Sequence, residues 1–476
     1  MNKLKLYKII NLPFVSIECW CCLSVFEFIV SLKILNMNET YEKSLNLFTY
    51  LQHANKLWYL VNPYDTSFKL PTEVPDYQQE IWISFFFLIV LEQVILYAKK
   101  QSTFRLNDHV TSISHWMLQE SGRIFCRGAE YYIYINIYEK YHIWSLPWNS
   151  AWTWYITAIS VDFCYYWVHR ANHEIHFLWA QHQVHHSSEE FNLVVGLRQS
   201  ILQQWCSFMF YLPLGIIIPP SHFIAHHQFN LIYQLWIHTT VIDNLGLLEL
   251  IFNTPKHHRV HHGCNLYCLD KNYGGVFIIW DRLFGTFIEE QSKGKIVYGL
   301  VVSPRTFNPL YLQTFYTIAM IKKSINMNTL MDKFAVIWKG PSWLPGLPRL
   351  GLDEYKINVI SRVKFNPSIP IWQTFYITLH FSIIFSMHFY LYDDIQNSGS
   401  LMMNNIFALT AIGLLFDQFE YANVVELIRC IIYLVFFNCN FNYIFLIYVT
   451  SCCIWTIDII NQRRNNMAKA NKLVSL

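Results

Sequence analysis

The chain has 476 residues, of which 53% are hydrophobic and 17% aromatic but only 14% charged, with a formal net charge of +3. Such a composition is too apolar for an ordinary water-soluble protein, and a charge so near zero excludes nucleic acid as the main partner. The 12 cysteines are scattered without a disulfide-type framework and read as packing residues in a reducing or membrane setting.

In chain order, residues 1–50 contain an apolar stretch from Phe14 to Leu35, interrupted by Glu18 and Glu27, that reads as either a signal-like segment or an anchor. A polar, proline-punctuated loop follows over 53–80. Ile81 to Ala98 is long enough to span a bilayer, and Lys99 and Lys100 put its far end in the cytosol. Glu92 inside that span is costly in lipid and is expected to face protein. Arg105, Asp108, Arg123 and Arg127, spaced among aromatics over 101–150, suggest amphipathic helices at the membrane surface. An aromatic helix from Trp152 to Val168 then leads into the histidines. Leu202 to Ile218 is apolar but weakened by Gln203 and Gln204 and stopped by Pro219-Pro220. The segment FNLIYQLWIHTT carries His238, and NYGGVFIIWDRLFGTF closes this region near 287.

From 290 to 370 the chain is rich in Pro and Gly and reads as an extramembranous loop region with the makings of a lid. Apolar segments return at 371–392, 405–416, 424–437 and 441–460. A basic tail with Arg463, Arg464, Lys469 and Lys472 belongs in the cytosol. The expected architecture is all-α: a multi-span integral membrane helical protein with a histidine-rich di-metal core at the cytosolic face. Its parts are an N-terminal extension (1–55), a first span with interfacial helices (56–150), a catalytic domain (151–290), the loop region (291–370) and C-terminal transmembrane helices with the tail (371–476).

Fourteen of the 20 histidines fall between His169 and His262. His169 and His173 are four apart, one above the other on a helix face. His182, His185 and His186 stand at i, i+3 and i+4, and His258, His261 and His262 repeat that spacing. Eight imidazoles are too many for one ion, so the pattern implies two metals. Zn, Cu, Fe and Ni all suit such ligands, and spacing does not choose among them. A lone histidine in an apolar segment is usually just a hydrogen-bonded core residue, but here the phase repeats among aliphatic and aromatic neighbours. From His173 to His182 is nine residues, about 180° around a helix of 3.6 residues per turn. The chain must therefore break between them. Asp162, seven residues before His169, shares its face. It is placed either to accept an imidazole N–H or to cap a turn.

The motifs HRANH, HQVHH and HRVHH resemble the fatty acid hydroxylase superfamily of membrane di-iron enzymes, which includes sterol desaturases and sterol methyl oxidases. Within it the likeness is greatest to the alkylglycerol (glyceryl-ether) monooxygenase family. It is carried by VPDY at 75–78, LPWNSAWTWY at 146–155, VDFCYYWVHRANHE at 161–174, HHSSEEFNLVVGLRQS, NTPKHHRVHHG and KGPSWLPGLPRLGL at 339–352. The resemblance implies metal ligation by His169, His173, His182, His185, His186, His258, His261 and His262, with His238 as a ninth ligand. It also implies that Glu174 is required, placing it as catalytic beside Asp162. His176 and His257 fall outside the pattern. The implied cofactors are two non-haem irons and tetrahydrobiopterin, and the implied location is the endoplasmic reticulum membrane. The implied substrates are O2 and an ether lipid, an alkylglycerol or lyso-alkylglycerophospholipid within the bilayer, hydroxylated at the alkyl carbon beside the ether oxygen. Three rival readings stay open: a sterol or fatty-acyl hydroxylase or desaturase fed by cytochrome b5, a zinc-dependent membrane hydrolase, and a metal transporter.

Overall fold

The computed structural model describes residues 53–101, 104–292, 294–389, 398–436 and 442–474. The apolar stretch from Phe14 to Leu35 lies outside them. Among the described residues every regular element is a helix, and the only strand-like pairings are isolated bridges, Phe252 to Phe277 and Gly263 to Tyr298. Among the described residues three helical stretches are long and apolar enough to cross a membrane: Pro71–Ala98, Gly399–Phe416 and Tyr443–Met467.

The chain packs as two units. The described part of the smaller unit comprises 306–308 and 366–474 and contains four helices, Ile371–Phe389, Ser398–Phe416, Ala422–Phe436 and Asn442–Val474. Its core stacks Tyr433 on Tyr448 beside Ile383 and Cys430. A buried Arg429 sits in the same helices and is fully partnered. Its Nε donates to Glu426 at 2.7 Å, and its Nη1 donates to the Tyr448 hydroxyl at 3.0 Å. A charge with no water around it persists only when its donors are satisfied in this way.

The described part of the larger unit, 53–305 with 309–365, carries every histidine of the repeated motifs. Helix α1 (Trp82–Ala98) is the expected span, and Glu92 does face protein, being 3% exposed. The region read as several interfacial helices is instead one helix, α2 (Leu106–Tyr141). No proline interrupts it, and the polar side chains of its first turns point inward: Asp108, His109, Ser112 and His115 are buried. Asp108 and Ser112 look like a wet face in the sequence because their partner, Arg198, is some 90 positions away.

Helix α3 (Ala151–Glu174) runs parallel in role to the expected aromatic helix and presents its inner face, Val161 to His173, to the core. It stops where the phase argument requires. Ile175 is extended (φ −119°, ψ 120°) and α4 (His176–His182) starts in a new direction. Pro220 begins α5 (Pro220–Trp236) and Pro255 begins α6 (Pro255–His261), both at first-turn positions where the missing N–H costs nothing. Between α4 and α5 the apolar stretch ending at Ile218 forms no long helix. A short helix, Gln203–Ser207, gives way to a 3-10 segment, Phe208–Ile216, with Pro213 inside it. A short α7 (Ile279–Phe284) ends at Gly285, whose φ of +73° favours glycine. The region read as loop-like contains two further helices, α8 (Pro309–Ile325) and α9 (Leu330–Trp338). The Pro and Gly residues are concentrated after them, at 340–351.

Candidate metal centre

Four elements converge on one buried chamber: the end of α3, α4 with the turn after it, the turn after α5, and α6 with the residue that caps it. They carry nine imidazoles into two groups. His169, His173, His182, His186 and His261 form one, and His185, His238, His258 and His262 form the other, with the ligand nitrogens of each group within 4.8 Å of one another. The groups adjoin where His186 stacks on His262, ring centres 4.5 Å apart. Each HxxHH motif is split between them. His182 and His186 face the first group while His185 turns to the second; His258 and His262 face the second while His261 turns to the first.

The outer nitrogens explain the aim of the inner ones. His169 Nδ1 faces the Tyr273 carbonyl at 2.8 Å, His185 Nδ1 that of Arg198 at 3.2 Å, His238 Nδ1 that of Gln234 at 2.7 Å and His261 Nδ1 that of Lys271 at 2.8 Å. A neutral imidazole donating from Nδ1 keeps a lone pair on Nε2. His238, donating from Nδ1, thus turns its Nε2 lone pair toward His185 Nε2 at 3.2 Å, an arrangement that a shared cation favours. His258 Nε2 lies 2.9 Å from His238 Nε2 and 3.1 Å from His262 Nε2. In the first group His182 Nε2 lies 3.1 Å from His169 Nε2 and 3.2 Å from His186 Nε2. The buried Nε2 atoms of His173 and His261 have no hydrogen-bond partner. Metal–nitrogen bonds of about 2.0–2.1 Å meeting at right angles set neighbouring nitrogens about 2.9 Å apart, so the donor sets fit transition-metal ions.

Electrostatics agree. Burial pushes down the proton affinity of all nine imidazoles, His238 to about 3 and His261 to about 4. Neighbouring imidazoles add to the effect for each of them except His261. Near neutral pH they are in the uncharged form that a metal requires.

His176 and His257 lie in neither group: His176 Nδ1 faces the Val336 carbonyl at 3.0 Å, and His257 packs on Phe287. Glu174 follows His173 at the end of α3. Arg170 Nε donates to its Oε1 at 2.7 Å, and Arg349 Nη1 is 3.5 Å from Oε2.

Asp162 requires a correction, because it makes no hydrogen bond to an imidazole. It is fully buried. Its Oδ1 accepts from Asn230 Nδ2 (2.7 Å) and the Val276 N–H (2.7 Å), and its Oδ2 from the Phe277 N–H (3.1 Å) and Trp280 Nε1 (2.9 Å). It holds the turn at 276–280 to α3 and α5, the turn-capping alternative. Gly275 is needed beside it, since a Cβ there would meet Asp162 Oδ1 at 2.9 Å and Tyr165 Cδ1 at 2.7 Å. Seven residues of helix rise about 10 Å, so sharing a face with His169 does not bring the carboxylate to its ring.

Three further residues were missed by sequence reasoning. Arg198, 2% exposed, is clamped by Asp108 Oδ1 (2.7 Å), Ser112 Oγ (3.0 Å) and Ser187 Oγ (3.2 Å), and its carbonyl orients His185. Asp281 receives the N–H groups of Tyr273 and Gly274, both at 2.7 Å, and so sets the carbonyl that His169 uses. Asp270 lies 3.8 Å from His173 Nδ1 and 3.2 Å from Lys356 Nζ. None shares a helical phase with a histidine, so spacing carries no trace of them.

Glu92 reaches in from α1. It accepts from the Leu193 N–H at 3.0 Å and from Thr239 Oγ1 at 2.5 Å, fixing the residue after His238. Gly196 of the same short segment would, with a Cβ, come within 3.3 Å of His238 Nδ1. Glu92→Ala is expected to lower stability by about 2 kcal/mol or more through two unpaired buried donors. It should also weaken metal retention by the four-histidine group. Thermal unfolding and metal analysis of the solubilised protein check this, and a variant matching the parent in both would remove Glu92 from the support of His238.

The fatty acid hydroxylase family model matches residues 154–286, which hold all nine histidines. The chain is 42% identical over 389 residues to alkylglycerol monooxygenase of Xenopus tropicalis, covering 80% of this chain and 87% of that one. To the Homo sapiens alkylglycerol monooxygenase it is 44% identical over 394 residues, covering 81% and 88%. To the Danio rerio protein of the same name it is 40% identical over 448 residues, covering 90% and 99%. No solved structure gives a significant match.

Proposed function

Because this chain belongs to the alkylglycerol monooxygenase family, oxidoreductases built on a fatty acid hydroxylase domain, we propose that it is a di-iron, tetrahydrobiopterin-dependent monooxygenase of ether lipids. The observation that carries the metal part of this reading is the pair of adjoining imidazole groups with lone pairs aimed inward. In this reading the two groups each hold one iron, and the core lies at the cytosolic face of the endoplasmic reticulum membrane in a multi-pass protein. The three apolar helices and the lysines closing α1 support that placement.

Two irons with a reduced pterin as electron source would supply the reductive activation of O2 that attack on an unactivated C–H bond needs. One oxygen atom enters the alkyl carbon beside the ether oxygen, and the other leaves as water with the pterin's two electrons. The ether lone pair stabilises the electron-poor carbon, and the resulting hemiacetal breaks to a fatty aldehyde and the glycerol portion.

The protein's own residues do the holding. Neutral imidazoles bind without cancelling the metals' charge, and the carbonyls of Arg198, Gln234, Lys271 and Tyr273 fix their tautomers. Trp179 covers His173 and His186, with ring centres at 5.0 and 5.6 Å. Phe191 covers His262 at 5.3 Å, and together these rings exclude water. Glu174, bracketed by Arg170 and Arg349, is the group placed to hold a proton or the pterin's polar edge.

The test is to give membranes containing the chain a 1-O-alkylglycerol, oxygen and tetrahydrobiopterin, with fatty aldehyde as readout. Aldehyde should require the pterin. Glu174→Gln should abolish it while metal content stays at the parent value; loss of metal in that variant would move Glu174 into the metal's own support. Silence from folded, iron-loaded parent protein would sink the ether-lipid reading in favour of a sterol or acyl substrate with cytochrome b5 electrons.

A further inference from the structure

One cavity of the larger unit has no part in the chemistry above. It lies between α2, α3, α5 and the 203–216 segment, and its volume is about 50 Å³. Two of its walls touch the five-histidine group. Tyr165 and Asn172 of α3 line it, and the Tyr165 ring stands 5.4 Å from that of His169. Gln203 lines it as well and interacts with His182. Away from the histidines the walls become aromatic and aliphatic, with Tyr134, Phe208, Leu212 and Phe223. His227 interrupts them, and its buried Nδ1 has no hydrogen-bond partner. The outer edge of the same 3-10 segment is apolar and open: Met209 is 62% exposed and Ile217 44%.

These features narrow the ligand. A wholly polar molecule would have no use for the aromatic walls or for the apolar rim. A pure hydrocarbon would leave His227 Nδ1 unpaired, which buried polar groups rarely tolerate. A single-chain lipid with oxygen atoms at one end meets both conditions. We propose that this cavity seats the alkyl chain of the lipid substrate next to its oxygens, and that the chain enters sideways from the bilayer past Met209 and Leu212. The tail lies along Tyr134, Phe208, Leu212 and Phe223, and an ether or hydroxyl oxygen pairs with His227. The carbon to be oxidised then comes to rest beside Tyr165 and Asn172, against the histidines. The assignment rests on the ether-lipid reading given above.

The experiment uses the full chain, metal-loaded, in lipid nanodiscs and without pterin, so that nothing turns over. A 1-O-alkylglycerol carrying a diazirine in its alkyl chain is photolysed and the labelled peptides are identified. Label should appear on peptides holding Tyr134, Phe208 to Leu212 and Phe223, and unlabelled 1-O-hexadecylglycerol should compete it away. Label confined to other segments, or uncompeted, overturns the proposal. In turnover assays Leu212→Trp should raise KM for 1-O-hexadecylglycerol about tenfold, as if two methylenes were denied burial. His227→Phe should raise KM by a smaller factor, and both variants should keep the parent metal content. Should either variant fail to fold, labelling of the parent chain still decides. Aldehyde formation without labelling of the cavity would leave the reaction standing and remove the cavity from it. Competed labelling without aldehyde formation would keep the cavity as an alkyl-lipid site and remove the reaction.

Discussion

Replacing His185 with Ala should abolish turnover and bring bound metal down from two ions per chain to about one. His185 is one of only four imidazoles in its group, and its Nε2 lies 3.2 Å from that of His238. Its removal leaves three imidazoles where the structure gathers four. Even the loss of a group that merely orients a ligand typically costs 10–100-fold in metal affinity or activity, so loss of the ligand itself should cost about 100-fold or more. The five-histidine group has one more imidazole to draw on, so His173→Ala should retain more metal than His185→Ala. His176→Ala supplies the contrast, since His176 faces the Val336 carbonyl outside both groups, and two ions should remain. Metal analysis of the purified variants separates these outcomes. Equal metal in His185→Ala and the parent would show that the four-histidine group is not a metal site.

The second large effect is expected from Asp162→Ala, although Asp162 touches no imidazole. Removing its carboxylate strips acceptors from four buried donors at once: Asn230 Nδ2, the Val276 and Phe277 N–H groups and Trp280 Nε1. Each buried donor left unpaired costs about 1–3 kcal/mol, so losing the partner of four at once removes a large part of a domain's stability. The damage should extend to the metal, because the released turn is continuous with Tyr273, whose carbonyl orients His169. The expected result is a strongly lowered unfolding temperature in detergent and depleted metal in whatever protein remains folded. Asp162→Asn keeps the volume but turns an amide N–H toward donors, so most of the cost should persist. Parent-like stability in Asp162→Asn would mean that shape, not the carboxylate, holds the turn.

Much of the catalytic region was readable because its signals are local. The helix period put His169 above His173, and the nine-residue gap to His182 demanded the break that the chain makes at Ile175. Length and apolarity were enough for α1 and the C-terminal helices. A carboxylate within an apolar run was enough to turn Glu92 toward protein, where it bonds Leu193 and Thr239. Local patterns misled where a polar face was answered from far along the chain. The buried side of α2 looked like a wet surface because its partner Arg198 arrives from another segment. The paired helices at 309–338 were obscured by the Pro and Gly residues that follow them.

By itself the sequence determined that eight imidazoles with metal-ligand spacing lie on separate helical segments of a largely apolar chain, since periodicity and composition are properties of each segment alone. Only the tertiary structure decided how the triplets divide. On one helix turn i and i+4 point nearly together while i+3 points about 100° away from i+4. His185 thus leaves His182 and His186, and His261 leaves His258 and His262, but each is claimed by a group assembled from another part of the chain. The same holds for the Tyr273 carbonyl, 104 residues from His169, and for Asp162, whose partners lie 68 to 118 residues away. Hydrogen bonds act over about 3 Å of space without regard to sequence distance, so those pairings exist only once α3, α5 and α6 have docked.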